Sequence, residues 1–476
     1  MIYVYLGISL FIVLLFVILL RTFHFEPKAF PEMKKNHEFD QKFAIESLSK
    51  MIQFETISYP DPALENPKAF TDFRLFIKER FPHVFEKSTY SEHERAMLFH
   101  IKGEIAEDPY VFMSHYDVVP TNGVWDEEPF SGRINDQTVY GRGTLDTKSS
   151  LNAIMNAMEY LLSKGKVFKH DVYLAFGGDE EVYGKSAEAI VEYFKSHGIK
   201  PFMVLDEGGA IVKDQFPGVS EKAAVVGIAE KGFMNIKLVA KTKGGHASTP
   251  PKTTPITSLS MAVTKLNQSK AFKLKLTTPV KYLFESLAPH SKSFFIKMIF
   301  ANLWLFLPIV KLIAKISGGE FLAMFKTTQA FTMSLGSEAM NVLPSEASIG
   351  INYRLMPGES SEMIVKKIKH IIRKYPIEVE VLEAHEASTI SVIDDGYKSL
   401  TKAINQTWPE VIVSPYLMVA TTDSRHYHAI SERVFKFSPM DVSKDDLRKI
   451  HGVNEDITID NIVAGVNFYI NLFEQL

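Results

Sequence analysis

Ser114-His115-Tyr116-Asp117-Val118-Val119-Pro120 follows directly on the apolar run Pro109-Tyr110-Val111-Phe112-Met113. Four further segments carry an acid or an imidazole in order along the chain. Asp146 stands in Gly141-Arg142-Gly143-Thr144-Leu145-Asp146-Thr147-Lys148, and Glu180 and Glu181 in Gly178-Asp179-Glu180-Glu181. Asp206 stands in Val204-Leu205-Asp206-Glu207-Gly208-Gly209, and His451 in Ile450-His451-Gly452. Most of these residues lie at the end of an apolar run or just beyond it. Imidazole with carboxylate is the ligand set that zinc takes in catalytic sites. One His-x-Asp says little, and each residue alone reads as a surface histidine, a helix start or a strand-end cap. The segments in this order say much more.

Working outward, residues 96–101, 109–113, 171–176 and 201–205 read as strands. Residues 149–162 read as a helix whose apolar face is Leu151, Ile154, Met155, Met158, Leu161 and Leu162, and residues 43–52 as another. Strands alternating with helices predict an α/β fold, a mostly parallel sheet flanked by helices. Ligands bind beyond the carboxyl ends of such strands, where His115, Glu180, Glu181 and Asp206 lie. From about Gly232 the texture changes. Residues 233–241 and 347–354 alternate like half-exposed strands, and 256–266 and 362–374 read as helices. This predicts a small α+β domain inserted into the larger one.

The chain has 476 residues, enough for two domains or one with a large insertion. Its net charge of −3 makes no electrostatic case for nucleic acid. It has no cysteine, so any zinc must be held by nitrogen and oxygen. Residues 2–20 carry no charged side chain and are long enough to cross a bilayer. No small-x-small cleavage site follows, so an uncleaved membrane anchor is expected, with a secretory signal peptide as the competing reading. Arg21, Lys28, Lys34 and Lys35 after the span favour a cytoplasmic body. Residues 294–316 are unusually apolar, but Lys297, Pro308, Lys311 and Lys315 interrupt them. A core or interface helix is expected there rather than a second span; the alternative is a surface that lies on a membrane or binds acyl chains.

Together the motifs S-H-Y-D-V-V-P, G-R-G-x-x-D-x-K, G-D-E-E, L-D-E-G-G, G-G-H-A-S and I-H-G-x-N-E resemble the di-zinc exopeptidase and aminoacylase family, most closely its carboxypeptidase S subgroup. That subgroup includes secreted N-acyl amino acid hydrolases, which pull against a cytoplasmic body and leave the side of the membrane open. The resemblance runs from about Lys42 to the C-terminus. It implies two zinc ions per chain: His115 and Asp206 on one, Glu181 and His451 on the other, Asp146 bridging. Glu180 matches the general base and Asp117 the carboxylate that orients the His115 imidazole. A cis peptide is implied at Asp146-Thr147. His246 in Gly244-Gly245-His246-Ala247-Ser248 resembles the oxyanion-stabilising histidine, and Asn341 and Arg354 resemble residues that bind the substrate's carboxylate. Arg425, in Thr422-Asp423-Ser424-Arg425, matches a subgroup loop near the site. In many relatives these groups arrive across a homodimer or after domain closure.

The domain plan expected is an anchor at 1–22, a linker at 23–41, a catalytic domain at 42–230 and 358–476, and an inserted lid or dimerisation domain at 231–357. The expected function is zinc-dependent cleavage of an amide or peptide bond next to a free carboxylate, as in a carboxypeptidase or dipeptidase. The alternative substrate is an N-acyl amino acid, and the alternative outside enzymes is an inactive membrane-tethered binding protein. The other histidines, including His385, His426 and His428, are read as structural, with His426 and His428 the best placed to line a cleft.

Overall fold

The apolar runs become strands, and their order in space differs from their order in the chain. The computed structural model describes residues 1–27, 33–135, 137–213 and 218–476; residues 28–32 of the expected linker lie outside these. Helix α1 (Ile2–Phe23) precedes the body. A hairpin, β1 (Ser88–His93) and β2 (Ala96–Ile101), leads to β3 (Ile105–His115), helix α2 (Lys148–Ser163), β4 (His170–Gly177), β5 (Met203–Asp206) and β6 (Ala223–Glu230). The chain then runs through β7 (Gly232–Lys241), the short β8 (Gly245–His246), α3 (Pro255–Asn267), α4 (Phe294–Ala301) and α5 (Leu303–Ser317). Next come β9 (Thr328–Leu335), β10 (Val342–Leu343), β11 (Glu346–Leu355), α6 (Ser361–Ile372) and β12 (Glu378–His385). It closes with α7 (Asp395–Thr407), β13 (Ile412–Met418), β14 (Val434–Lys436) and α8 (Ile459–Phe473).

The large sheet runs β1-β2-β4-β3-β5-β14-β6, with β13 beside β6. Its centre is parallel: β3 lies between β4 and β5 and runs with both, and β14 runs with β5. The carboxyl ends therefore line up at one edge, with His115 opposite Gly177 and Asp206 opposite Lys436. Helices α2 and α8 cover one face. Leu151, Met155 and Phe473 pack there against Phe112, Phe176 and Leu205, all fully buried. Each such side chain contributes about 1.5–3 kcal/mol by leaving water, which makes the strand ends a rigid platform.

The small domain is an antiparallel sheet, β9-β11-β7-β12. Leu259, Ala262 and Leu266 of α3 and Ile364, Ile368 and Ile372 of α6 cover it. Because β12 pairs with β7, this domain continues past residue 357, where the sequence put its end. Part of the insertion also belongs elsewhere: Val280, Leu283 and Leu287 pack on Ile412 and Leu417 of the large sheet. Residues 294–316 are not a core helix. They form two helices bent by 114° at Asn302, and Phe295, Trp304, Leu312 and Ile316 are exposed.

Candidate active site

Strand β3 ends at His115, where a two-residue turn places Asp117 beneath the imidazole. The carbonyl of Asp117 lies 3.0 Å from His115 Nδ1. A carbonyl only accepts, so Nδ1 carries a proton, and Nε2 is the nitrogen left to face the cleft. The Asp117 carboxylate is fully buried. It accepts Ser58 Oγ at 2.7 Å and the backbone N–H groups of Glu180 and Glu181 at 3.1 Å each. One carboxylate thus positions the histidine and the turn that carries both glutamates. Gly177 is the last residue of β4, and a Cβ there would stand 3.0 Å from Asp423 Oδ2, so that carboxylate would have to give by a few tenths of an ångström.

Asp146 sits between the two histidines. Its Oδ1 is 3.2 Å from His115 Nε2 and its Oδ2 is 3.1 Å from His451 Nε2. The Asp146-Thr147 peptide is cis. Glu181 Oε2 is 3.2 Å from His451 Nε2, and Glu207 Oε1 is 3.0 Å from His115 Nε2. The result is two ligand groups sharing one carboxylate: His115, Asp146 and Glu207; and Asp146, Glu181 and His451.

Glu207 stands where the sequence reading put Asp206. Asp206 is the last residue of β5, and its Oδ2 accepts the backbone N–H of Ser424 at 3.0 Å. Beyond the strand end the chain no longer alternates, and Glu207 faces the cleft. The adjacent acids of Val204-Leu205-Asp206-Glu207 were the only signal, and they do not say which of the two turns inward.

Glu455 is a second residue that sequence reasoning passed over, although it closes I-H-G-x-N-E. Its Oε1 accepts the backbone N–H groups of Gly143, Leu145 and Asp146 at 3.1, 2.7 and 3.2 Å. Its Oε2 accepts Arg142 Nη1 at 2.6 Å, and Arg142 Nη2 donates to the Gly452 carbonyl at 2.7 Å. His451, whose φ of 58° is rare for a residue with a side chain, sits inside that clamp. Buried Lys148 pins the same loop by donating to the Met51 and Phe54 carbonyls at 3.1 and 2.9 Å.

The electrostatics are those of too many acids in one buried place. Burial, with like charge from Asp146 and Asp206 and against His115, pushes Glu207 up to about 8. Burial raises Glu180 well above the carboxylate range; Asp423, Glu207 and Glu181 add to this, and His115 opposes it. Donating to the Asp146 and Glu181 carboxylates pushes His451 up to about 10. Glu181 Oε1 is buried and has no hydrogen-bond partner among the described residues. An orphaned carboxylate oxygen in an all-nitrogen-and-oxygen donor set fits divalent metal ions, whose charge offsets what burial makes costly.

The substrate-side residues divide into two pairs. Arg354 projects from β11 over Phe233, its guanidinium 5.7 Å from the ring centre. Arg425 lies 5.5 Å from the ring of Tyr183, which packs 4.8 Å from Phe233. Tyr183 is two residues past Glu181, so both arginines lie beside rings that adjoin the turn carrying Glu180 and Glu181, and His385 stacks on Phe233 at 4.7 Å. His246 and Asn341 are brought to each other instead, on the exposed β8–β10 ribbon, where Ala247 N–H donates to the Asn341 carbonyl at 3.0 Å. Among the described residues neither makes a hydrogen bond or ion pair to the ligand groups. His426 packs beside Glu188 at 3.6 Å, and His428 bonds Thr389 and Lys436, away from the two ligand groups.

Residues 111–475 match the family model "Peptidase family M20/M25/M40". The chain is 34% identical over 480 residues to the N-fatty-acyl-amino acid synthase/hydrolase PM20D1 of Xenopus tropicalis, covering 98% of this chain and 93% of that one. It is 35% identical over 445 residues to the probable carboxypeptidase S-like 2 of Dictyostelium discoideum, covering 90% and 84%. In fold it resembles the M20 family metallo-carboxypeptidase Sso-CP2 of Sulfolobus solfataricus, with a TM-score of 0.67 at 17% identity over 90% of this chain and 98% of that one. Human carnosine dipeptidase 1 gives a TM-score of 0.62 at 14% identity, covering 92% and 97%. The chain is a hydrolase of the M20/M25/M40 peptidase family.

Proposed function

We propose that this protein is a two-zinc hydrolase that cleaves an amide or peptide bond next to a free carboxylate. The observation that carries the reading is Asp146, shared between two ligand groups, with Glu180 next in the chain to Glu181 and under the charge of His115 and Glu207. His115, Asp146 and Glu207 would hold one ion, and Asp146, Glu181 and His451 the other. When bound, the pair supplies Lewis acidity toward the amide carbonyl and lowers the pKa of water. Glu180 takes the attacking water's proton and returns it to the leaving nitrogen as the carbon–nitrogen bond breaks. Asp117 keeps His115 in the tautomer that ligation needs and holds Glu180 in place through its backbone. Arg354 and Arg425 hold the substrate carboxylate, a bidentate task that suits a guanidinium.

Relatives named for fatty-acyl amino acids and relatives named as carboxypeptidases share one chemical demand, a carboxylate beside the amide. The carboxypeptidase or dipeptidase reading and the N-acyl amino acid reading differ on the other side of the bond. The full set of ligands plus a base argues against an inactive binding protein. A hydrolysis screen of N-acyl amino acids against dipeptides, with zinc-loaded full-length protein in detergent, tests this. Turnover of neither class, or equal turnover of amidated termini, would sink the proposal.

Two further parts belong to it. Helix α1 is long and apolar enough to span a bilayer, and we read it as an anchor; its recovery at the N-terminus of the mature protein tests that. The His246–Asn341 ribbon would reach the substrate from a second copy or after closure of the small domain. Mixed Glu180→Gln and His246→Ala chains that regain activity would identify the homodimer.

A further inference from the structure

Helix α5 is apolar on the side that faces away from the protein. Trp304, Leu305, Ile309, Leu312, Ile313 and Ile316 recur at three- and four-residue spacing and are exposed, whereas Val310 and Ala314 face inward. Phe295 of α4 is 70% exposed and Ile316 is 77% exposed. An apolar face this continuous marks an interaction surface.

Three observations identify its occupant. The first is continuity with α1. Arg21 Nε donates to the Ala301 carbonyl at 3.1 Å, Asn302 Nδ2 donates to the Ile18 carbonyl at 3.2 Å, and the Phe23 and Phe294 rings are 6.0 Å apart. The exposed side of the helix pair thus adjoins the base of a helix long enough to span. The second is charge. Between Glu285 and Glu320 there is no acidic residue, while Lys292, Lys297, Lys311 and Lys315 are basic. That pattern complements anionic headgroups. The third is length. α4 and α5 have 8 and 15 residues and meet at 114°. Neither reaches the roughly 20 residues a span needs, so the pair suits the interface and not the bilayer interior.

We propose that α4 and α5 form a second membrane contact, seated at the headgroup–acyl boundary of an anionic phospholipid bilayer beside α1. It holds the catalytic body against the surface. The proposal rests on α1 being membrane-inserted. Trp304 is a built-in probe, one of only three tryptophans in the chain. The full-length protein is reconstituted in phosphatidylglycerol–phosphatidylcholine vesicles with brominated acyl chains, and the Trp304 emission is taken as the difference from Trp304→Phe. Quenching by half or more, lost in Leu312→Glu/Ile316→Glu, supports the proposal. That double variant should keep its turnover of a short, water-soluble substrate; if it does not fold, the quenching of the unaltered face decides alone. An unquenched, red-shifted Trp304 in protein that resists alkaline extraction overturns the proposal while leaving the anchor standing. A blue-shifted but unquenched Trp304 also overturns it, since protein and not lipid then covers the face. If alkali extracts the protein, the anchor reading fails. Flotation of the same chain with anionic vesicles then decides: flotation that the double variant loses supports the contact, and no flotation overturns it.

Discussion

Replacing Glu455 by glutamine removes one charge and almost no volume, and the structure says what that costs. Glu455 is fully buried and Arg142 is 1% exposed, so neither charge can turn to water. The amide oxygen of glutamine can still accept from Gly143, Leu145 and Asp146, so those bonds weaken without vanishing. The Arg142 guanidinium loses its counter-charge at 2.6 Å. Breaking one side of a buried ion pair costs about 3–5 kcal/mol, which outweighs the loss in the amide bonds. Because the same clamp holds Asp146 and the His451 loop, metal affinity should fall about 10–100-fold. Denaturant unfolding and metal-buffer titration of the Glu455→Gln variant read the two effects. Arg142→Met in addition removes the stranded charge and should recover about half or more of the lost stability. A loss below about 1 kcal/mol, or no recovery in the double variant, would refute the reasoning that an uncompensated buried charge dominates.

Glu207→Gln should lower bound metal from about two ions per chain toward one, whereas Asp206→Asn should keep both; metal analysis of the purified variants separates them, and the reverse result would restore Asp206 as the ligand. Glu180→Gln should keep its metal and lose about 10²–10⁴-fold in turnover, and retention of more than a tenth of the rate would remove it from the role of base. Chelation should abolish activity and added zinc should restore it, with full activity after chelation and desalting the contrary outcome. Arg354→Ala should raise KM for substrates with a free carboxylate and narrow the preference over their amides; an unchanged preference would assign the carboxylate to another group.

The residues that bear on chemistry were legible in the chain because strand ends are local events. An apolar run that stops at His115 or before Glu180 announces both a strand and its exposed carboxyl end. The parallel sheet then follows from strands alternating with helices. His115, Glu180, Glu181 and Asp206 stood out by position and chemistry alone, whereas the roles of Asp146 and His451 came from the resemblance of the motifs around them. What tertiary structure decided lies where a local pattern runs out. Past the end of β5 the alternation of faces stops, and there Asp206 accepts the Ser424 N–H while Glu207 reaches His115. Glu455 acts on Gly143 from 312 positions away, a pairing that no local periodicity encodes. Strand β12 joins the small domain through its pairing with β7, which a half-exposed run of Glu378–His385 does not announce. Residues 294–316 are apolar nearly all round, and such a helix reads the same whether protein or lipid surrounds it. Only the fold shows which side is covered, because burial is a property of neighbours and not of the segment itself.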